Sequence, residues 1–356
     1  RGTFNFSGEP VTLYTALSDV PAGYGPSVVT IGNFDGVHRG HARVISRVVS
    51  LAEEHGLRSI AVSFDPHPIQ VHRPEVAHHD IMGQGARRHY MCLLGLEDYL
   101  LLHYSLEFAQ QTPEEFVKTT FVDGLNARYV VIGDDVRFGR NNSGDLNTMR
   151  ELGEKYGFEV VVVEDLMVDE NTRCSSTRIR QLLLEGDMPA ATELLGRHHM
   201  MAGEVVHGLA RGRELGFPTA NLDFEARGLL PADGVYAGWL VDEAGTRHPS
   251  AISVGTNPTF DGIEHRQVEA HVIDRPEERV EDFNLYGQHV LIEFVKRLRP
   301  MVAYTGVEAL IEQINDDVAK TREVLAEDAK TYCPPERSVR GEKDSEKKSE
   351  AESLEA

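Results

Sequence analysis

The first half of the chain alternates short apolar runs with segments in which apolar residues recur at helical spacing. Helical spacing covers residues 42–51 and 87–94, and Thr112-Pro113 gives a start signal for a further helix over 113–122. The apolar runs predicted to form strands are Ser27–Ile31, Ser59–Phe64, Tyr99–Leu102, Tyr129–Ile132 and Phe158–Val163. This alternation predicts an α/β domain with a doubly wound parallel sheet, whose ligands would bind at the carboxyl ends of the strands.

The pattern changes near residue 197, after two predicted helices over 175–184 and 188–195. From there, strand-like runs follow one another through turn-rich segments without helical spacing between them. The predicted strands are Met200–Val206, Gly234–Val241, Pro249–Val254, Val268–Ile273 and His289–Val295. Such a series predicts a small antiparallel β-barrel. Apolar residues at i, i+3 and i+4 from Val307 to Val318 then predict one C-terminal helix.

These changes of pattern divide the 356 residues into two domains and a tail. We place the α/β domain at 1–196 and the barrel domain at 197–333, with the boundary at Gly196. Residues 334–356 contain seven acidic and five basic residues among 23 positions and almost nothing to bury. A disordered charged tail is therefore predicted there.

Charge and cysteine content narrow the function classes. The chain has 36 Lys and Arg against 57 Asp and Glu, a formal net charge of −21, which argues against a protein that coats nucleic acid. A small anionic substrate remains compatible, because a local nest of backbone N–H groups can bind phosphate. No apolar run is long enough to span a membrane, and the N-terminus has no apolar signal-peptide segment. Since Cys92, Cys174 and Cys333 lie far apart in the sequence, neither a disulfide framework nor a cysteine zinc site is expected. Together these features predict a cytoplasmic protein without a membrane partner.

The segment Val28–His41, VVTIGNFDGVHRGH, carries the first candidate chemistry. A buried strand runs into a glycine-containing turn and then a helix start, where backbone N–H groups and the helix dipole can hold a phosphate. His38 and His41 are three residues apart and share a helix face, from which two imidazoles could donate to phosphate oxygens. A pair of histidines satisfied by local carbonyl groups is the structural alternative.

Two later segments suit the same site. Residues 132–145, IGDDVRFGRNNSGD, place charged and glycine residues after a strand, and residues 175–180, SSTRIR, start a helix. A serine at a helix start is most simply a structural cap, whereas Arg178 in the first turn is suited to neutralise the outer phosphates of a nucleotide.

The motifs GNFDGVHRGH, FDPHP, GDDVRFG and SSTRIR together resemble the adenylyltransferase module of the bacterial bifunctional riboflavin kinase/FMN adenylyltransferase (FAD synthetase) family. The resemblance implies a nucleotidyltransferase-like fold that adenylates FMN with ATP to give FAD and pyrophosphate. It implies catalytic roles at the ATP phosphates for His38, His41 and Arg178. The ATP- or flavin-binding residues that it implies are Gly32, Phe34, Asp35, Gly36, Asp135, Phe138, Gly139, Ser176 and Thr177. Val136 stands where the family more often has an aromatic residue, on the flavin side of this pocket.

A second candidate site begins at residues 207–217, HGLARGRELGF. The loop is not a Walker A loop, since no Gly-Lys-Ser/Thr follows, but glycine-freed amides beside arginines are the ingredients of a phosphate nest. A polar hairpin between barrel strands is the alternative. Thr219 and Asn221, two residues apart on a strand, share one face and could bind Mg²⁺ through hard oxygen ligands.

The motifs GRELGFPTAN, DGVYAG, SVGTNPTF, VEAHVID and NLYG follow, in order, the riboflavin kinase module of the same family. The resemblance implies ATP-dependent phosphorylation of riboflavin to FMN, with Glu269 as the base and the Thr219–Asn221 segment binding Mg–ATP. The other ATP- or flavin-binding residues implied are Gly212, Gly216, Pro218 and Asn257. Considered without the resemblance, Glu269 lies between Val268 and Ala270 on a predicted strand, so its side chain faces away from theirs. An inward acid there would need a functional reason, and a solvent-facing glutamate is the alternative.

The resemblance covers roughly residues 28–325 and predicts a bifunctional enzyme of flavin cofactor synthesis. The expected cofactor is Mg²⁺, the expected co-substrate is ATP, and the other expected ligands are riboflavin, FMN and FAD. Association into a weak homo-oligomer is left open. One alternative is a nucleotidyltransferase for another acceptor, with a barrel that only binds; another is a flavin-binding regulatory protein, which would have no use for a base. The adjacent pairs His78-His79 and His198-His199 are predicted to be surface residues rather than metal ligands.

Overall fold

The computed structural model describes residues 11–206, 219–223, 226–258, 264–274, 285–303 and 305–332, with the backbone alone at 257–258 and 264–265. These residues pack into two compact units, one of residues 11–78 and 84–173 and the other of 79–83 and 174–332. The two units divide at Cys174 by packing. This division does not test the domain boundary predicted at Gly196, which stays a prediction. The predicted tail at 334–356 lies outside the described residues.

The first unit is built on a six-stranded parallel sheet, as predicted. Its strands are β1 (Thr12–Tyr14), β2 (Ser27–Ile31), β3 (Arg58–Asp65), β4 (Asp98–His103), β5 (Ala127–Gly133) and β6 (Glu159–Val163). Its helices are α1 (Arg39–His55), α2 (Pro68–His72), α3 (Gln84–Leu93), α4 (Pro113–Phe116) and α5 (Leu146–Tyr156). The one helix predicted over 113–122 is α4 followed by a π-helix, Val117–Gly124. Three-residue β1 lies at the sheet edge and is too short for its pattern to predict it.

The strand order β1-β4-β3-β2-β5-β6 reverses beside β2. From β2 the chain builds outward through β3 and β4, then returns to pair β5 with the other side of β2. The carboxyl ends of β2 and β5 are therefore neighbours at the topological switch point, where open α/β sheets bind their ligands. The inner strands are nearly continuous apolar runs, with Val29, Val62 and Val130 fully buried, because both sheet faces are covered.

In the residues that the structure describes, the second unit is a closed antiparallel barrel with three helices, which confirms the predicted barrel and C-terminal helix. Its elements are α6 (Ser176–Glu185), α7 (Met188–Leu195), β7 (His199–Val206), β8 (Thr219–Leu222), β9 (Gly234–Val241), β10 (Arg247–Pro258), β11 (Glu264–Val272), β12 (His289–Arg299) and α8 (Val307–Thr331). The strands close in the order β10-β11-β8-β7-β12-β9, since β9 also pairs with β10.

Helix α8 is twice as long as the stretch predicted from its periodicity. Leu325 packs against Ala237 of β9 and Val295 of β12, on the outer wall of the barrel. Arg299 donates two hydrogen bonds of 2.8 Å to Asp317, which ties the middle of α8 to the end of β12. Among the described residues, no helix combines the length and the apolar character needed to cross a membrane.

The prediction that His198 and His199 are surface residues is wrong, because both are buried, His198 against α8. His198 is 5% exposed, stacks on the Tyr332 ring at 3.8 Å, and places Nε2 2.9 Å from Asp328 Oδ1. Burial lowers the pKa of His198 although the Asp328 carboxylate opposes that effect. His199 is 2% exposed and its Nε2 lies 2.7 Å from the Leu229 carbonyl oxygen, so both histidines are structural. In the other pair His79 is exposed, as predicted, and His78 is half-buried.

Candidate active sites

The turn after β2 is a strained loop at the switch point, and we call residues 32–37 the phosphate loop. Phe34 has φ 51°, Gly36 φ 88° and Val37 φ 38°, so three of its residues lie in the left-handed region. Gly32 packs closely against Phe34, since a Cβ there would lie 3.1 Å from the Phe34 ring. Phe34 is only 3% exposed, so its ring anchors the loop. The tight turn leads directly into the start of α1.

His38 and His41 form a stacked pair at the N-terminus of α1. His38 is the N-cap residue and its Nδ1 accepts a hydrogen bond from the His41 backbone N–H at 3.2 Å. In the neutral ring this bond leaves the proton on Nε2, which can donate to an oxygen anion. The two rings stack at 3.5 Å with 16° between their planes. The structure thus brings together Gly32, Phe34, Asp35, Gly36, His38 and His41.

The segment after β5 ends at a second tight turn. Phe138 is 4% exposed and belongs to the core, and its backbone pairs with Gly144. Gly139 has φ 74°, and a Cβ there would lie 2.6 Å from the Pro113 nitrogen. Phe138 and Gly139 therefore hold the segment in place, and Val136 packs against the same core. Asp135 is exposed and pairs with Arg173.

The start of α6 lies in the second unit. Ser175 is its N-cap residue and accepts a hydrogen bond from the Arg178 backbone N–H at 3.2 Å, which confirms a helix start with a hydroxyl cap. Ser176 and Thr177 occupy the first turn, and the Arg178 guanidinium donates to Gln181 at 2.9 Å. That these three residues meet the histidine pair stays a prediction.

Thr219, Asn221 and Glu269 form a cluster on adjacent barrel strands. In the antiparallel pairing of β8 with β11, Glu269 is directly opposite Asn221, and Thr219 is opposite His271. Thr219 and Asn221 are two residues apart on one face, as predicted, and Thr219 is the diagonal cross-strand neighbour of Glu269. A hydroxyl, an amide and a carboxylate therefore converge within one cross-strand pair and its neighbour.

Glu269 lies on the outer wall of the barrel rather than in its interior. Val268 and Ala270 are buried at 3% and 0%, and Ala270 pairs with the fully buried Ile252, so apolar side chains occupy the interior. Alternation along the strand places Glu269 on the opposite face, half-buried. It is thus neither in the barrel interior nor fully solvated, and this wall is the one on which Ala237 meets α8.

Burial governs the electrostatics of this wall. Burial raises the pKa of Glu269, and the hydrogen bond with Thr219 opposes that effect. Burial also lowers the pKa of His271 to about 4, against the attraction of Asp317. A carboxylate of raised pKa is a stronger proton acceptor than a solvated one. Thr219 and Asn221 offer the hard oxygen donors that Mg²⁺ prefers, so the donor set fits that ion.

The remaining predicted residues of the barrel are described in part. Asn257 lies on β10, where its backbone pairs with that of His265. Gly212, Gly216 and Pro218 lie outside the described residues.

Comparison with known proteins adds an independent observation. A family model described as FAD synthetase matches residues 22–178, and one described as riboflavin kinase matches residues 195–325. A bifunctional riboflavin kinase/FMN adenylyltransferase from Pseudomonas fluorescens is 34% identical over 85% of this chain and 94% of its own length. The chain belongs to the bifunctional riboflavin kinase/FMN adenylyltransferase family.

A second relative and a solved structure extend the likeness. The bifunctional riboflavin kinase/FMN adenylyltransferase of Escherichia coli (strain K12) is 31% identical over 83% of this chain and 92% of its own length. A crystal structure described as a macrolide-efflux protein from Streptococcus pneumoniae is 32% identical, with a TM-score of 0.77, and covers 88% of this chain and 98% of that one. The likeness therefore spans both units of this family member.

Arg87 was missed by reasoning from the sequence. It lies on α3, outside every motif that carries the family resemblance, and its guanidinium forms a buried ion pair with Asp35 of the phosphate loop. A signal was present, since Arg87 and Met91 are one turn apart and are the buried residues of α3. A charged residue on the apolar face of an amphipathic helix requires a buried partner.

Proposed function

We propose that the chain performs both steps of flavin cofactor synthesis, each in its own predicted domain. The barrel domain, 197–333, transfers a phosphoryl group from ATP to riboflavin and gives FMN, and the α/β domain, 1–196, transfers an adenylyl group from ATP to FMN and gives FAD. The observation that carries the proposal is that the two family matches fall separately on the histidine pair and on the Thr219–Glu269 cluster.

In the kinase step, Glu269 acts as the general base. Its carboxylate accepts the proton of the riboflavin 5′-hydroxyl as that oxygen bonds to the γ-phosphorus of ATP, and the bond to the β,γ-bridging oxygen breaks to release ADP. The raised pKa of Glu269 favours this role, and Thr219 is its diagonal neighbour on the adjacent strand. Opposite it, Asn221 places an amide at the same level of the wall.

Thr219 and Asn221 are the residues that would hold Mg²⁺ in the kinase unit, through the hydroxyl and the amide oxygen. When bound, the ion offsets the charge of the ATP phosphates. We assign ATP binding to Gly212, Gly216, Pro218 and Asn257, as the family resemblance implies.

In the adenylyl step, an FMN phosphate oxygen attacks the α-phosphorus of ATP and pyrophosphate leaves, without a covalent enzyme intermediate. His38 and His41 donate hydrogen bonds to the phosphate oxygens, where negative charge develops, and Arg178 pairs with the outer phosphates. Ser176, Thr177, Asp135, Phe138 and Gly139 complete the proposed nucleotide and flavin pocket.

The cellular setting and assembly are further proposals. Cys92 and Cys174 form no disulfide, which suits a reducing cytoplasm that also supplies ATP. Weak self-association stays a prediction, and a light-scattering mass measured over a range of concentrations tests it.

The test of the proposed function is a product assay. The chain is incubated with riboflavin, ATP and Mg²⁺, and FMN and FAD are resolved by chromatography over time. We expect FMN to appear first and FAD after it, with ADP and pyrophosphate as by-products. Formation of neither flavin product would overturn the proposal in favour of a flavin-binding protein. Adenylylation of an unrelated acceptor without FAD would favour a different nucleotidyltransferase.

A further inference from the structure

The guanidinium of Arg87 holds the phosphate loop at two points. Its Nη2 donates to Asp35 Oδ1 at 3.0 Å, and its Nη1 donates to the Asn33 carbonyl oxygen at 3.0 Å. Arg87 is 2% exposed and Asp35 is 1% exposed, so the ion pair is sealed from solvent. The two acceptors lie on either side of Phe34. The guanidinium group is a rigid, planar fork of N–H donors, so this one group fixes the chain on both sides of Phe34.

The loop needs such a fixture because its backbone is strained. Phe34 has φ 51° and Val37 has φ 38°, both in the left-handed region that side chains other than glycine rarely adopt. For β-branched Val37 this conformation is a genuine outlier. Such residues persist only where their surroundings impose the conformation, and they gather at functional sites. The guanidinium of Arg87 and the Phe34 ring packed near Gly32 are among the restraints on this turn.

The loop and the histidine pair are continuous in the chain. Val37 directly precedes His38, whose Nδ1 caps α1 through the His41 backbone N–H. A rotation of the loop would change the position of the cap and of both stacked rings. Because transfer at phosphorus depends on alignment, a displacement of about 1 Å can cost about 100-fold in rate.

We propose that Arg87 is a positioning residue for adenylyl transfer, which holds the strained phosphate loop so that His38 and His41 face the triphosphate. The inference rests on the proposed function of the α/β domain. It also assigns Asp35 a role different from the ligand contact implied by the family resemblance: Asp35 acts on the loop through Arg87.

The test compares Arg87→Met, Asp35→Asn and the double variant with Arg88→Met, a matched control one position along the same helix. For each chain, FAD formation from FMN is measured as kcat and KM for ATP, and FMN formation from riboflavin is measured on the same preparation. We expect Arg87→Met to lower kcat/KM for FAD formation about 100-fold and to leave FMN formation unchanged. Arg87→Lys should restore part of the loss, since an ammonium can pair with Asp35 but lacks the rigid fork.

The double variant separates the two roles of Asp35. It also guards against unfolding, because removing both charges leaves no buried carboxylate without its partner. If Asp35 acts through Arg87, the double variant loses no more FAD formation than Arg87→Met alone. A further loss equal to that of Asp35→Asn alone would show that Asp35 contacts the ligand itself and would overturn its assigned role.

Two other results would overturn the role of Arg87. One is a wild-type rate of FAD formation in Arg87→Met. The other is a parallel fall of both activities and of the melting temperature in Arg87→Met and in the double variant, which would make the pair merely structural. If the unmodified chain made no FAD, the proposed function itself would fail, so the two failures are distinguishable.

Discussion

The replacement of Glu269 by Gln is the sharpest perturbation of the barrel site. The change keeps the size of the side chain and leaves an oxygen to which the Thr219 hydroxyl can donate, but an amide cannot take up a proton at neutral pH. Because Val268 and Ala270 fill the barrel interior and Glu269 lies on the outer wall, the fold should be unaffected.

The expected magnitude follows from the role of a general base. A positioned base contributes about 10²- to 10⁴-fold to the rate. At 1.36 kcal/mol for each tenfold change, the loss corresponds to about 2.7 to 5.4 kcal/mol of transition-state stabilisation. Stability should change in the other direction. Burial raises the pKa of Glu269, so its charged form is disfavoured in the fold at neutral pH, and Glu269→Gln should unfold at the same temperature or slightly higher.

The assay measures FMN formation from riboflavin and, separately, FAD formation from FMN. Glu204→Gln is the matched control, because Glu204 is also half-buried on a barrel strand but lies on β7, outside the proposed site. We expect Glu269→Gln to lose FMN formation and keep FAD formation, and Glu204→Gln to keep both. FMN formation within tenfold of the unmodified chain, in folded Glu269→Gln protein, would refute the role of this carboxylate.

Three further predictions concern the histidine pair, the pH dependence of the kinase step and a tight turn. His38→Ala and His41→Ala should each lower FAD formation at least 100-fold while FMN formation persists, and a matching fall in FMN formation would contradict separate sites. Because burial raises the pKa of Glu269 above the ordinary 4.5, the rate of FMN formation should fall as the pH drops through that raised pKa, with an acid limb displaced toward neutral pH. An acid limb at or below pH 4.5 would contradict this. Gly139→Ala, whose Cβ would lie 2.6 Å from the Pro113 nitrogen at φ 74°, should destabilise the chain by more than Gly157→Ala, which has φ 85° and open space around it. Thermal unfolding should show a cost of about 1 kcal/mol for Gly157→Ala and a clearly larger one for Gly139→Ala, and equal costs would refute the steric argument.

Much of the fold follows from local pattern. Buried strands such as β2 and β5 are short apolar runs between helical segments, and Gly234–Val241 was predicted with the bounds that the structure gives it. The start of α6 was predicted from its serine cap, a local interaction that sequence neighbours determine. These features depend on residues only a few positions apart.

What the pattern did not predict depends on distant contacts. The burial of His198 is caused by α8, which begins more than a hundred residues later, and polar histidines carry no local signal of that cover. The position of Glu269 on the outer wall depends on which face closes around the interior. Arg87 was missed because its partners, Asn33 and Asp35, lie more than fifty residues earlier in the chain.

The central claim, two separate phosphate-transfer sites on one chain, is tested most directly by mixing two inactivated chains. Supplied with riboflavin, ATP and Mg²⁺, the Glu269→Gln chain should form neither product, and a chain carrying His38→Ala and His41→Ala should stop at FMN. A mixture of the two should make FAD, because the FMN released by one chain is the substrate of the other. A mixture that stops at FMN, or a His38→Ala/His41→Ala chain that makes FAD unaided, would contradict the account.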